Sequence, residues 1–278
     1  MLAAACLAAG CSSVRLAYNN VPTFGTWWLN GYLDFDGSQS ARLREDLASL
    51  QQWHRGQLPE TAALMQRAQS LAAQEHVSAG QVCALVEDAQ RQLDEISAHS
   101  EPGAAQLVRS LTPAQLQHLQ EKYTKSNRDF KEEWLDISAD KLREKRYDKA
   151  LERAEHVYGR LASAQRALVR QQVDASTFDP QRLYAERLRR QQDALQTLRG
   201  LAGEQATPEQ AERALRGLFA RYRQSPREDF RAYAQRQIEE GCQGVALLHD
   251  STTPAQREQA VKRLQAYERD FRALAAQR

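Results

Sequence analysis

TPAQLQHLQEKYTKSNRDF (residues 112–130) and TPAQREQAVKRLQAYERDF (residues 253–271) are two copies of one pattern. Both open on Thr-Pro-Ala-Gln and close on Arg-Asp-Phe, with the same spacing and no gap. The opening is a capping box: the Thr112 or Thr253 hydroxyl accepts from a free first-turn N–H, and Gln115 or Gln256 reaches back to the cap's own N–H. Proline at the first helical position costs nothing there, because that N–H has no helical partner. The same box recurs at Ser78–Gln81 and Thr207–Gln210, a second pair with its own offset. Four helix starts, two of them carrying a matched downstream sequence, predict a duplicated helical unit. The halves are expected over 37–170 and 171–278.

Apolar spacing outward from these starts is helical throughout. Leu43, Leu47 and Leu50 begin the pattern after Asp36. Pro59 suits the first turn of a next helix, with Leu64, Ala68 and Leu71 on its face. Val82, Leu85, Val86, Ala89, Leu93 and Ile96 follow Ser78, and Glu101-Pro102-Gly103 is expected to interrupt them. Further helices are expected from Pro113, over 139–158 and over 161–173. In the second half they are expected to open at Asp179-Pro180, Pro208, Pro226 and Pro254. No run alternates like a strand, and no Asn-Gly or Asp-Gly hairpin signal occurs. The expectation is an all-α array of about ten helices.

Composition agrees. Glycine and proline number only 13 and 8, and the abundance of Ala, Leu, Arg, Gln and Glu is that of a helix former. Mean hydropathy of −0.69 implies a well-solvated surface. The net charge of +2 is too small to argue for nucleic acid.

The N-terminal residues read differently. MLAAACLAAG (1–10) is apolar or small at every position, the pattern of a secretory leader. LAAGC resembles a bacterial lipobox, which implies that Cys11 is acylated, with palmitate-type chains, and becomes the mature N-terminus. Ala8 stands where leucine is more usual, and the short run lacks a charged n-region, so translation is expected to begin further upstream. Cys6 is the weaker candidate. Ten apolar residues are too few for a bilayer span of ~20, so anchoring would come from acyl chains at ~0.8 kcal/mol per buried CH₂. Ser12 is not aspartate, which by the same resemblance favours the outer membrane, facing the periplasm. Between Cys11 and Asp36 lie Tyr18, Phe24, Trp27, Trp28, Tyr32 and Phe35. These aromatics suit packing into the helical core; the alternative is the interfacial layer of a bilayer, where Trp and Tyr are favoured. Cys83 and Cys242 remain in the body. An even number of thiols in an oxidising compartment predicts that they pair.

Catalytic patterns are sparse. Six histidines are present, with no i, i+4 pair for a zinc helix and no Glu-x-x-His. Neither a G-x-S-x-G, a phosphate-binding glycine loop nor a C-x-x-C occurs. No metal and no cofactor are expected, and no enzymatic activity. His54, between Trp53 and Arg55, is the one histidine to watch, with a buried, hydrogen-bonded role tying two helices together expected ahead of a catalytic one.

The stretch CSSVRLAYNN…WWLNGYLDFD, the Trp53-His54-Arg55…Leu58-Pro59 segment, and the runs around Cys83 and from Glu240 to Gln256 together resemble an uncharacterised family of bacterial lipoproteins. That resemblance covers nearly the whole chain and implies a lipoprotein of no known activity. LTPAQ (111–115) is also similar to the LTxxQ motif of small periplasmic helical chaperones; the second copy has Thr252 in place of the leucine. The function expected is that of an anchored interaction or chaperone-like envelope protein, with an unidentified envelope protein as partner. The alternatives are an enzyme with a site near His54, or a spacer that binds peptidoglycan or lipid.

Overall fold

A computed structural model describes residues 13–203 and 206–277. Eleven helices and no strand occur among them: α1 (Ser13–Asn19), α2 (Val21–Leu33), α3 (Gly37–Ala72), α4 (Ala79–Arg109), α5 (Pro113–Trp134), α6 (Ala139–Tyr158), α7 (Ser163–Ala175), α8 (Pro180–Leu201), α9 (Pro208–Arg223), α10 (Glu228–Asp250) and α11 (Pro254–Ala275). The protein is an all-α array.

The four boxes are true helix starts. Ser78, Thr112, Thr207 and Thr253 are N-caps in extended conformation. Each hydroxyl accepts from the N–H three residues on at 3.2–3.3 Å. Each glutamine Oε1 accepts from the cap N–H at 2.7–3.0 Å. A fifth box, Asp36 with Gln39, opens α3.

Three expected prolines behave otherwise. Pro59 lies inside α3, which runs unbroken for 36 residues. An interior proline costs about 3 kcal/mol, but Leu58 and Ala62 beside it are fully buried, and that packing offsets the loss. Pro102 lies inside α4, where Ala105 is fully buried. Gly103 brings this turn against α3, since a Cβ there would meet Asp46 Cγ at 3.0 Å. Pro226 precedes α10 without opening it; the N-cap is Arg227, whose N–H donates to Ser225 Oγ.

The same buried contacts recur in two sets of elements. Gln39 Nε2 donates to Ser110 O at 2.9 Å, and Gln115 Nε2 to Asp34 O and to Gln39 Oε1. Gln165 Nε2 donates likewise to Ser251 O at 2.9 Å, and Gln256 Nε2 to Arg160 O and to Gln165 Oε1. Gly244 meets Gln172 as Gly103 meets Asp46. Buried Leu43, Leu107 and Leu119 have buried counterparts in Val169, Leu248 and Ala260. By this correspondence α2 matches α6, α3 matches α7 with α8, α4 matches α9 with α10, and α5 matches α11. The long helices of the earlier set are broken in the later one, at 176–179 and 224–227. The corresponding elements run over 21–134 and 139–275, so α6 joins the later set, whereas a division at 170/171 leaves it in the earlier.

The two sets are interwoven. One core joins Phe35, Leu43, Ala105, Leu107 and Leu116 to Leu198, Leu201, Ala211 and Leu215 of α8 and α9. The other joins Ala72, at the end of α3, to Tyr158, Leu161, Val169, Leu248 and Ala260. Helix α3, ~54 Å long at 1.5 Å per residue, runs from one core to the other.

Candidate functional site

The N-terminal helices meet the body at Trp53, His54 and Arg55. The Tyr18 hydroxyl lies 3.0 Å from His54 Nδ1 and 3.3 Å from Gln51 O, and the Gln51 amide donates to Tyr18 O. Arg55 donates to Asn19 Oδ1 at 3.0 Å and to Gln277 O at 3.3 Å, with its guanidinium 5.8 Å from the Tyr18 ring centre. Arg15 pairs with Asp270 of α11 at 3.1 Å. A seven-residue helix is too short to persist alone; these bonds clamp α1 to α3 and α11. Burial lowers the pKa of His54. It raises that of Tyr18, against the nearby Arg55 charge. The imidazole is therefore held neutral by its surroundings and ties two helices.

The three residues do not converge on one point. Trp53 turns away and stacks on His99, ring centres 4.0 Å apart. Beside Trp53 and His54, and lined also by Glu60 and Glu95, is a space of about 10 Å³, the size of a single water site.

Helix α2 carries no charged residue. Thr26 is buried on its inner face, and Leu29, Tyr32 and Leu33 pack against the first core. Gly25 allows the close approach, since a Cβ there would lie 2.9 Å from Leu47 Cδ1. At 100° per residue, Val21, Phe24 and Trp28 fall opposite Thr26, Leu29 and Leu33. They are exposed: Trp27 by 75%, Phe24 and Trp28 by 56% each. Core packing of the aromatics therefore holds for Phe35, which is buried, and for half-buried Tyr32. It fails for Trp27, and Phe24 and Trp28 are exposed with it, because a helix has only one inner face to bury. Leu16 of α1 adds to the exposed surface. Cys11 lies outside the described residues, two positions before α1, as does Cys6.

Cys83 of α4 and Cys242 of α10 form a disulfide, with Cα atoms 5.5 Å apart. It staples the two sets of helices across 159 residues of sequence.

Two sites escape the motif patterns. His249 is 2% exposed, more deeply placed than His54. Its Nε2 lies 2.9 Å from Gln74 O and its Nδ1 3.0 Å from the Tyr158 hydroxyl. A carbonyl only accepts, so Nε2 carries the proton and Nδ1 accepts from Tyr158, whose pKa burial pushes up to about 12. Glu186, 1% exposed, accepts from Arg189, Arg190 and Ser225. Burial works to raise its pKa, and the hydrogen bonds and arginine charges outweigh it, leaving the carboxyl lowered and ionised. The only sequence cue to either was a polar residue at an inward position of its helix.

Two grooves on the surface of the described residues carry apolar walls. One of about 590 Å³ lies between α6, α7 and α10, with Val157, Val169, Val173 and Leu248 along it and Arg146, Lys149 and Arg153 at its side. The other, about 1250 Å³, lies between α4, α9 and α10, at the break between the last two; Leu93, Phe219, Tyr222, Phe230 and Ile238 line it. Among the described residues no group of three or more His, Cys, Asp or Glu is placed to hold a metal ion. No helix among them is long and apolar enough to cross a membrane.

No curated protein and no solved structure matches the chain. A family model does match, over residues 31–231, a span that begins near the end of α2 and ends just inside α10, taking in the Trp53–Arg55 segment. The chain belongs to that family, DUF6279, a family of unknown function.

Proposed function

We propose that this is a lipoprotein of the bacterial envelope, anchored through acyl chains on Cys11 at the outer membrane and facing the periplasm. Its helical body works by binding another envelope protein or an unfolded client, without catalysis. The observation that carries the reading is the clamp. Two residues after Cys11 the chain enters a helix bonded through Tyr18, Asn19 and Arg15 to α3 and α11. A flexible leash would let the body diffuse. A clamped one presents it in one orientation, which suits a docking protein.

The groove between α4, α9 and α10 is where a partner helix would seat, with Leu93 and Tyr222 exposed at its side. Amphipathic helices bind such grooves through apolar anchors at helical spacing. The bond between Tyr18 and His54 supports a structural role for that histidine, as does the small size of the space beside it.

The test is crosslinking in living cells with a photoreactive residue at Tyr222 or Leu93, and at exposed Lys141 as control. An envelope protein captured from both groove positions and not from Lys141 supports the proposal. Capture of nothing at the groove positions, with the protein correctly fractionated, contradicts it.

A further inference from the structure

We infer that the outer face of α2 is a second membrane contact: Phe24, Trp27 and Trp28 seat in the interfacial layer of the bilayer that holds Cys11. This rests on the lipoprotein reading for the position of the bilayer. It adds that the body lies down on the lipid surface instead of standing off it.

Reach is the first argument. Cys11 and Ser12 can span at most ~7 Å before α1 begins. A bilayer holding acyl chains at Cys11 is therefore within reach of α1 and of the start of α2. Five of the exposed large apolar residues stand together on these two helices: Leu16, Val21, Phe24, Trp27 and Trp28.

Comparison with the other set of elements supplies the second. Helix α6 corresponds to α2, and exposed Arg153 stands where α2 has Trp27. Tyr147, Ala150 and Ala154 stand where α2 has Val21, Phe24 and Trp28, and they pack, partly buried, against the second core. The face that the body covers in α6 is thus left open and apolar in α2, which has no charged residue in its 13.

Chemistry is the third. Two adjacent tryptophans and a phenylalanine, with Thr23 and Asn30 among them, match the aromatic composition of a membrane interface. They do not match a buried span, for which 13 residues are too short.

The experiment uses the full chain with Trp53→Phe and Trp134→Phe, so that only Trp27 and Trp28 emit. The protein is purified from membranes, reconstituted into phosphatidylethanolamine/phosphatidylglycerol vesicles, and compared in vesicles of brominated lipid; acyl content at Cys11 is measured on the same sample. The expected result is emission shifted to the blue and mostly lost in brominated lipid. Unquenched emission overturns the inference, whether or not Cys11 is acylated. Quenching without acyl chains removes the anchor and leaves the face. Emission that shifts with protein concentration in vesicle-free buffer, unquenched by lipid, assigns the face to a second copy and overturns the membrane contact. A blue shift that disappears when residues 1–10 are removed, again without quenching, assigns it to the leader with the same consequence. Trp27→Gln/Trp28→Gln in the Cys11→Ser background, checked for unchanged helicity, should abolish residual binding to the same vesicles.

Discussion

Removing the Cys83–Cys242 bond should cost more than any other single change outside the cores. The bond joins residues 159 apart, and cross-linking a loop of that length restricts the unfolded chain by about 5 kcal/mol in the chain-entropy treatment. A typical domain has only about 5–15 kcal/mol in all. With a urea slope of about 3 kcal/mol/M, the unfolding midpoint should fall by roughly 1.5 M. The slope itself should rise, because the uncrosslinked chain exposes more surface on unfolding. The assay is urea denaturation followed by far-UV circular dichroism. It compares oxidised protein, protein with excess reductant, and Cys83→Ala, Cys242→Ala and the double variant. The reduced protein and all three variants should unfold at nearly one midpoint, because each lacks the same bond. Because both cores draw on both sets of helices, every sample should show a single transition. Equal midpoints for oxidised and reduced protein would refute the reasoning. So would full thiol labelling of denatured, unreduced protein taken from cells.

Three further outcomes follow from the packing. Thr112→Ala and Thr253→Ala should each lower stability by about 1 kcal/mol by the loss of a cap, measurable in the same urea series, and together by nearly the sum because the two caps share no partner. Glu186→Ala should cost about 3 kcal/mol, since it removes the buried carboxylate that Arg189, Arg190 and Ser225 all donate to; Arg227→Ala, on an exposed pair with Asp229, should cost under about 1 kcal/mol. The His54 pKa is lowered from 6.5 in the folded protein, so the unfolded chain binds the proton first. Stability is full above pH 6.5 and is lost as pH falls from there toward the folded pKa. The protection of the Tyr18 and Asn19 amides against hydrogen exchange, taken relative to the unstructured chain at each pH, should fall over that window in the wild type and stay flat in His54→Gln.

Helix starts are legible because a capping box is a local device: Ser78, Thr112, Thr207 and Thr253 each meet their glutamine within one turn. The disulfide is legible from thiol parity together with the oxidising compartment that the leader pattern implies. Pro59 and Pro102 are not, because their cost is offset by distant burial of Leu58, Ala62 and Ala105, which local spacing does not reveal. The outer face of α2 is hidden for the opposite reason. A helix apolar on every side reads as buried, and only the position of its neighbours shows which side is left over. His249 depends on partners 91 and 175 residues away, and Glu186, besides its neighbours Arg189 and Arg190, on Ser225, 39 residues away. No spacing rule finds them. The interweaving of the two sets follows from which helix ends meet, and periodicity contains no such information.

The reading as an anchored envelope protein stands or falls on the chemistry of Cys11, and intact mass spectrometry of the N-terminal peptide, from protein isolated from the membrane fraction, measures it directly. The account predicts a chain that begins at Cys11 and carries acyl chains on that residue, with Cys11→Ser protein recovered in the soluble periplasmic fraction. A peptide that runs through Gly10, Cys11 and Ser12 with an unmodified thiol would contradict it.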